Sequence, residues 1–296
     1  MSIMAPQIDL ATASQLFDTL VTLQYQNKQR FGQTIDERHG TSGTTLNVPI
    51  SDLIEMQQGN FAPTNIPVTA VDETNVPVIA KDYRLKTVVG GGQKTLFNYD
   101  KITSHAKLHA ESAGRMDDFV RVDAIFSNPG LGSIATVPVT VGVNTGINQG
   151  KMSEALSQLE SEGVDTMDHA VSMWAPALLK KSMQNDDRMV NIFYTDTKPL
   201  TNNKIQSYLG VDCRFVGENG VNRIPSTGVG PAVYLVPMVH KDAIVQSYNR
   251  DISTSITWVQ QEDRWELLTI FTTGAEIVQL KGIVLMTANN PFAANS

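Results

Sequence analysis

The chain has 296 residues, of which 41% are hydrophobic, 18% charged and 7% aromatic. This length and composition allow one or two globular domains and exclude a chain that is mostly disordered or coiled coil. The net charge of -7 has the wrong sign for a dedicated nucleic-acid or anionic-membrane binder. The charged share is below the roughly 25% of an average soluble domain, which is typical of a surface that faces protein partners.

A single cysteine, Cys213, excludes an intrachain disulfide and a cysteine-rich zinc site. Met1–Leu10 has no basic segment leading into an apolar stretch, and no window of the sequence approaches the roughly 18 apolar residues of a membrane span. We therefore expect a soluble protein in a reducing compartment, with no membrane partner.

The first predicted element is a helix over Leu10–Phe31, where apolar residues fall near helical spacing before Gly32. From residue 39 to 80 the chain has four prolines, which keep the preceding residues extended, and no lysine or arginine. The β-prone runs Thr44–Ile50 and Val76–Val89 stand at its two ends. The pattern predicts a long two-stranded hairpin with its prolines on exposed or edge strands.

A long helix is predicted over Tyr99–Phe126, after a run of three glycines. A weak apolar stripe runs along it with alternating steps of three and four residues. Glu111 with Arg115 and Asp117 with Arg121 form i,i+4 ion pairs in the favourable order.

The rest of the chain predicts short strands and helices without a βαβ rhythm or an internal repeat, which indicates an α+β fold class. The predicted helices are Lys151–Glu162, a short helix opened by Pro176, and His240–Tyr248. The predicted strands are Ile134–Val143, Ala170–Trp174, Met189–Tyr194, Val211–Val216, Val233–Val236, Ile252–Val259, Trp265–Thr272 and Ile277–Met286, with a glycine-rich loop at Gly217–Gly230.

Three features of the sequence are candidates for a chemical site. Gly90–Thr95 lacks the glycines that a phosphate-binding loop needs before its lysine, so a hinge is favoured. His105 and His109 have a spacing that can hold zinc, but Ala106 stands where a metalloprotease has its base and no third ligand has a recognisable spacing. Cys213 lies in an alternating strand, which favours a buried residue over a nucleophile. We predict no catalytic residue, no cofactor and no metal site.

The order of these elements resembles that of the major capsid proteins of tailed bacteriophages, which have the Hong Kong 97-type fold. The resemblance covers nearly the whole chain: a helical arm, an extended hairpin at about Gly40–Val89, a long spine helix and a mixed domain. The most specific stretch begins at Met173–Leu179 and runs through Asn185–Asn191 to Tyr208–Val211. It is similar to the family's strand, proline-started helix, "d-d-r-x-x-n" turn and glycine-containing strand.

The closing part of the chain is similar to the family's closing segment at Pro237–Tyr248, Ile252–Val259 and Gly274–Met286. The resemblance implies peripheral and axial domains that interleave along the chain. The implied segments are an N-terminal arm (1–39), an extended loop (40–97), a peripheral domain with the spine helix (98–150), a mainly axial domain (151–250), and a return to the peripheral and axial sheet (251–296).

The resemblance implies a structural protein, not an enzyme, that self-assembles as pentamers and hexamers into an icosahedral head enclosing double-stranded DNA. Contacts with the DNA are expected to be nonspecific. The other implied partners are a portal and a scaffolding protein. Because the hairpin begins only about forty residues from Met1, the resemblance implies a separate scaffolding protein or assembly without one. The location implied is the virion, after assembly in the host cytoplasm. Some relatives link their subunits by an isopeptide bond from a loop lysine to an asparagine of another subunit. Residues 39–80 offer no lysine, so we predict a noncovalent shell, with Lys81 and Lys86 near the returning base of the hairpin as the alternative donors.

Two stretches of opposite charge suggest how subunits could dock. Arg84–Lys107 has five basic residues and one acid, whereas residues 39–80 have four acids and no lysine or arginine. The basic excess is modest for nucleic acid, and it lacks interleaved aromatic residues for base stacking. We expect the acidic span to be ordered on an adjacent subunit's basic stretch. The residues expected in this contact are Asp72, Glu73, Arg84, Lys86 and Lys94.

Two alternatives stay open. The first is another self-assembling shell with the same fold, an encapsulin-type compartment that holds enzyme cargo. The second belongs to a different class: a soluble metal- or nucleotide-dependent enzyme built on His105 and His109 or on the Gly90 loop.

Overall fold

The structure is a computed structural model that describes thirteen parts of the chain. These are residues 15, 17–21, 29–51, 73–90, 100–142, 145–166, 170–186, 189, 200–201, 204–205, 207–218, 220–227 and 233–289. The helices are α1 (Asp100–Phe126), α2 (Gln149–Ser161) and α3 (Lys180–Gln184), with a further helical segment at 17–21. The strands are β1 (Asp36–His39), β2 (Thr45–Ser51), β3 (Glu73–Ile79), β4 (Lys81–Gly90), β5 (Ala135–Val137), β6 (Val171–Pro176), β7 (Leu200–Thr201), β8 (Lys204–Ile205), β9 (Ser207–Tyr208), β10 (Val211–Val216), β11 (Ser226–Thr227), β12 (Val233–His240), β13 (Ile244–Val259), β14 (Arg264–Ile277) and β15 (Ile283–Asn289).

The strands form two larger sheets and two short ribbons. The four-stranded sheet has the order β1-β13-β14-β4. The seven-stranded sheet has the order β5-β15-β12-β6-β10-β9, with β11 also paired to β12. β2 pairs with β3, and β7 pairs with β8, each pair forming an antiparallel ribbon. The predicted α+β class is confirmed.

Helix α1 lies on one face of the four-stranded sheet. Its small residues Ala106 and Ala110 are fully buried and let the helix approach Val89 and Leu267, while Phe17 packs into the same cluster. The helix was predicted from Tyr99 and is observed from Asp100 to Phe126. The prediction is confirmed over the described residues, because a continuous period of about 3.6 residues runs through the whole segment.

The second core lies between α2 and the seven-stranded sheet. All six residues of β6 are buried, and Met152, Ala155 and Leu159 of α2 belong to the same apolar cluster. The Asn148 side chain caps the helix by accepting the Lys151 N–H at 2.9 Å. The helix ends at Ser161, before Gly163 in the left-handed conformation at φ 81°, close to the predicted Lys151–Glu162.

The predicted arm helix does not continue to Phe31. Residues 17–21 are helical, but residues 29–35 are not. The Arg30 and Phe31 N–H groups donate to the Asp118 carboxylate instead of to helical carbonyl groups. Phe31 is buried and stacks on Trp174, with the ring centroids 4.6 Å apart, so a tertiary contact takes the place of the helical end predicted at residues 29–31.

The predicted helix at His240–Tyr248 is wrong. Lys241–Ala243 form one 3-10 turn, and Ile244 then begins the sixteen-residue strand β13. This segment pairs with β1 in parallel and with β14 in antiparallel register, so sheet hydrogen bonds on both sides override the local helical spacing. The predicted division into five segments stays a prediction, and its border between residues 250 and 251 falls inside this strand.

Other predicted strands differ in length. The predicted Ile134–Val143 shortens to β5, which stops before Pro138 because proline has no N–H to donate. Met189 is helical rather than extended, and residues 190–199 lie outside the described residues. The predicted Val76–Val89 run splits at Ala80 into β3, which pairs with β2, and β4, which joins the four-stranded sheet.

Two predicted segments agree more closely. β10 matches the predicted Val211–Val216 to the residue, whereas the Gly217–Gly230 loop contains the two-residue strand β11 in its described part. None of the helices among the described residues has the length and apolar character needed to cross a bilayer.

Candidate interaction surface

The two histidines of α1 face the sheet. His109 is fully buried, and its ring nitrogens lie 2.7 Å from the hydroxyl oxygens of Thr87 on β4 and Thr269 on β14. His105 Nδ1 lies 3.1 Å from the same Thr87 hydroxyl. Burial, followed by repulsion from His105, lowers the pKa of His109 from 6.5 to about 4. The pair holds the spine helix to the sheet with a neutral imidazole.

The other candidate chemical residues lie in structural positions. Cys213 is buried in β10, and burial raises the pKa of its thiol to about 12, which makes it a poor nucleophile. Gly90 is the last residue of β4 and pairs with Arg264, while residues 91–99 lie outside the described part of the chain. Within the described ranges, no group of three or more His, Cys, Asp or Glu side chains could hold a metal ion.

A buried carboxylate holds the N-terminal arm to the spine helix. Asp118 accepts hydrogen bonds from the backbone N–H groups of Arg30 and Phe31 at 3.0 to 3.2 Å. It also accepts the Asn222 Nδ2–H at 3.2 Å. Burial raises the pKa of Asp118 against the opposing effect of the Arg30 N–H bond. The arm is therefore fixed to α1 by directional bonds beneath its surface.

A neighbouring network joins the same helix to β13. Arg121 is fully buried and contacts Asp117 and Glu37, each at 2.8 Å from its Nη2. Asp117 also accepts the Gln246 Nε2–H at 2.7 Å and the Tyr248 hydroxyl at 2.8 Å. Burial opposes the charge of Arg121, but attraction to Asp117, Tyr248 and Glu37 outweighs it and raises the arginine pKa.

Sequence reasoning found the Asp117–Arg121 pair but not its burial. The Glu111–Arg115 pair on the same helix has the same spacing, yet it is partly exposed and its closest atoms are 4.0 Å apart. The two pairs differ in what packs over them, which the i,i+4 spacing does not encode. Nothing in the sequence indicated that Asp118 is buried, because an acidic residue in a helix usually faces solvent.

The β2–β3 ribbon extends from the four-stranded sheet. Val48 and Val78 are buried against Val245 of β13, with Leu46 and Val278 packed beside them. Ala80 N–H donates to Thr44 C=O at 2.9 Å and closes the ribbon at its base. The described strands of the predicted hairpin, β2 and β3, therefore pack on the body of the molecule through one apolar face.

The predicted basic contact residues on β4 already have partners within the chain. Arg84 Nη2 lies 2.8 Å from Asp82, and Lys86 Nζ lies 2.6 Å from Glu266. Their side chains are 64% and 52% exposed, on the sheet face opposite α1. A hydrogen bond from Thr272, followed by one from Arg84, lowers the pKa of Asp82. Arg84 and Lys86 each contact an acidic side chain, so the charge of this exposed face is balanced.

The remaining predicted contact residues lie wholly or partly outside the described part of the chain. Glu73 begins β3, but its side chain falls outside the described part. Asp72 and Lys94 lie outside the described residues altogether. The predicted docking of Asp72 and Glu73 on Arg84, Lys86 and Lys94 thus stays a prediction.

The chain matches the model of a family described as phage capsid protein over residues 10–289. The chain belongs to this family. It is a phage major capsid protein, a structural component of the virion capsid. None of the curated proteins matches the chain.

Solved capsid structures share the fold of this capsid protein. The capsid of cyanophage P-SCSP1u is 11% identical with a TM-score of 0.66, covering 88% of each chain. The capsid of Ralstonia phage GP4 is 10% identical with a TM-score of 0.63, covering 86% of this chain and 87% of the other. A virus-like particle from Pyrococcus furiosus is 10% identical with a TM-score of 0.58, covering 92% and 98%. The predicted Hong Kong 97-type capsid fold is confirmed.

Proposed function

We propose that this capsid protein self-assembles as pentamers and hexamers into an icosahedral head that encloses double-stranded DNA. The observation that carries the proposal is the family match over residues 10–289. The protein works by contact with copies of itself rather than by catalysis. The net charge of -7 favours nonspecific and limited contact with the genome.

Electron microscopy of the purified protein tests self-assembly. Regular closed particles with five- and six-fold capsomers are expected. Particles isolated from infected cells should contain DNA that survives nuclease treatment, which separates a phage head from an encapsulin-type compartment. A monomer that stays unassembled at high concentration, with or without a co-expressed scaffolding protein, would contradict the proposal.

The further partners of the shell are a scaffolding protein, a portal and the packaged DNA, with assembly in the host cytoplasm. These partners are inferred from the proposed head, because a closed shell needs a vertex through which DNA enters. Co-expression tests the scaffolding protein. Shells of uniform diameter are expected when the phage's scaffolding protein is present, and shells of mixed diameter when it is absent.

The contact proposed between subunits joins the acidic span to the basic stretch. It places Asp72 and Glu73 of one copy against Arg84, Lys86 and Lys94 of the next. Ion pairs at a wet interface weaken as salt screens them. Because Arg84 and Lys86 have partners within the chain, docking requires them to be shared with or exchanged for the incoming carboxylates.

Charge reversal tests this contact. Asp72→Lys with Glu73→Lys is expected to slow assembly and to remove much of its salt dependence. The control, Glu154→Lys with Glu160→Lys, makes the same change in net charge on the exposed face of α2. Equal light-scattering assembly curves for the two double variants over a salt series would refute the docking.

A further inference from the structure

The carboxylate of Asp118 on the spine helix joins two segments that lie far apart in the sequence. The Arg30 N–H donates to both of its oxygens, at 3.2 Å to Oδ1 and 3.0 Å to Oδ2, and the Phe31 N–H donates to Oδ1 at 3.1 Å. Asn222 Nδ2, in the loop between β10 and β11, donates to Oδ2 at 3.2 Å. The two donors on Oδ2 thus come from the arm and from this loop, 88 and 104 residues away from Asp118 in the chain.

The carboxylate and its donors lie beneath the surface of the molecule. Asp118 has no exposed surface, and Asn222 is 5% exposed. A buried carboxylate is stable only while hydrogen bonds and nearby opposite charge replace its lost hydration. Burial raises the pKa of Asp118, whereas the two N–H groups of the arm and the nearby Arg121 lower it. The charged form of Asp118 therefore depends on donors that the rest of the chain brings to it.

The loop reaches this carboxylate through an inward side chain on a tight turn. Val221 and Arg223 are exposed, whereas Asn222 between them is buried. The Arg223 N–H donates to the Gly220 C=O at 3.3 Å and closes the turn. The Asn222 amide folds over Gly220, where an added Cβ atom would lie 2.4 Å from Asn222 Oδ1. The turn thus holds the amide in the direction of the spine helix.

The arm and the loop also share one apolar cluster. Phe31 of the arm and Ile224 of the loop belong to the same buried group as Trp174 and Val122. If either segment lifts, water reaches the carboxylate and competes for the donors that remain, and apolar surface of the other segment loses cover. Each segment is therefore more stable on the spine helix while the other is in place.

We propose that Asp118 is a latch shared by the arm at 29–31 and the loop at 220–224, so that the two segments dock cooperatively and release together. The arm leads into β1 of the four-stranded sheet, and the loop follows β10 of the seven-stranded sheet. A partner that lifts the arm therefore also loosens the loop. The coupling is reciprocal, because one factor relates the two docking equilibria. The latch lies within one subunit and does not depend on the proposed self-assembly.

Hydrogen exchange of unassembled subunits tests the latch from the side of the loop. Asn222→Ala removes the hydrogen bond of the loop and leaves Asp118 and its arm donors unchanged in sequence. The Arg30 and Phe31 amides are expected to exchange about fivefold faster or more in this variant. Val221→Ala is the matched control, because it alters the same turn at a side chain that is 58% exposed, and it should leave the arm amides unchanged. Arm amides that keep their wild-type rates in Asn222→Ala overturn the proposal.

The reciprocal variant tests the latch from the side of the arm. Gln29 Nε2 donates to Asp117 at 2.8 Å, so Gln29→Ala weakens the docking of the arm without changing Asp118 or its donors. The Arg223 amide of the loop is expected to exchange faster by a similar factor. The amides of β6, a wholly buried strand, report global unfolding and should keep their wild-type rates in both variants. A loop that does not respond, or exchange that rises equally in β6, overturns the proposal.

Discussion

At the scale of single residues, the spine helix is held by buried polar groups as well as by apolar packing. Arg121 is fully buried, and its charge is compensated by Asp117, also fully buried, and by Glu37, which is 22% exposed. Buried charges are stable only when paired and hydrogen-bonded. The network therefore fixes where β13 and the arm meet the helix.

Removing Asp117 should destabilise the subunit strongly. Asp117→Ala leaves Arg121 buried with Glu37 as its remaining acidic partner, and breaking a buried pair in this way costs about 3–5 kcal/mol. Glu111→Ala removes the exposed pair with Arg115 and should change the free energy of unfolding by about 0.5 kcal/mol or less. Urea denaturation of unassembled subunits measures both values. Similar losses for the two variants would contradict the buried network.

His109 should make subunit stability depend on pH in an acidic window. Folding lowers its pKa from 6.5 to about 4, so the unfolded chain binds more protons between these values. The contribution of His109 is therefore fully present above about pH 6.5 and is lost as the pH falls towards 4. His109→Asn should reduce the slope of unfolding free energy against pH in this window.

The comparison with wild type must be made both inside and outside the window. Between pH 7.5 and 9 the two proteins should show parallel stability curves, because His109 is neutral in both the folded and unfolded states. An unchanged slope between pH 4.5 and 6.5 in the variant would assign the acid sensitivity to other groups.

At the scale of elements, the ribbon depends on a close approach between backbones. Gly274 on β14 packs against the backbone of Ile79 and Ala80, where β3 passes into β4. A Cβ atom added at Gly274 would lie 2.1 Å from the Ile79 carbonyl oxygen and 2.7 Å from its carbon. Backbone atoms cannot move aside as a flexible side chain can, so glycine is required here by space.

Gly274→Ala should therefore unseat the ribbon. Overpacking of this kind destabilises by about 1–3 kcal/mol, and faster hydrogen exchange in β2 and β3 should accompany it. Gly132→Ala is the matched control, because an added Cβ meets no atom within 4 Å there. A Gly274→Ala variant as stable as the control, with unchanged exchange in the ribbon, would show that the chain relaxes around the methyl group.

At the scale of the whole molecule, the shell should be held by noncovalent contacts. Residues 39–80 have no lysine, and Lys86 near the base of the ribbon is engaged with Glu266 at 2.6 Å. Boiled particles on a denaturing gel should run as a single band of 32.4 kDa. A ladder of larger species would reveal covalent links between subunits.

Local sequence patterns determined much of this fold. The period of α1, the alternation of β10 and the end of α2 are decided by residues close in sequence, and the bounds of these three elements were predicted to within two residues. The Asn148 cap of α2 was not predicted. The absence of basic residues from 39 to 80 and the position of the prolines likewise identified the extended ribbon. The order of these elements was enough to indicate a capsid protein.

Only the tertiary structure decided which of several locally allowed states was adopted. The segment after His240 has helical spacing but becomes β13 because strands on both sides supply its hydrogen bonds. Asp117 and Glu111 each stand four residues before an arginine, yet Asp117 is buried beneath Gln246 and Tyr248 of β13 whereas Glu111 is partly exposed. Burial and strand pairing join residues far apart in the chain, and their free energies exceed the local preferences that a sequence window contains.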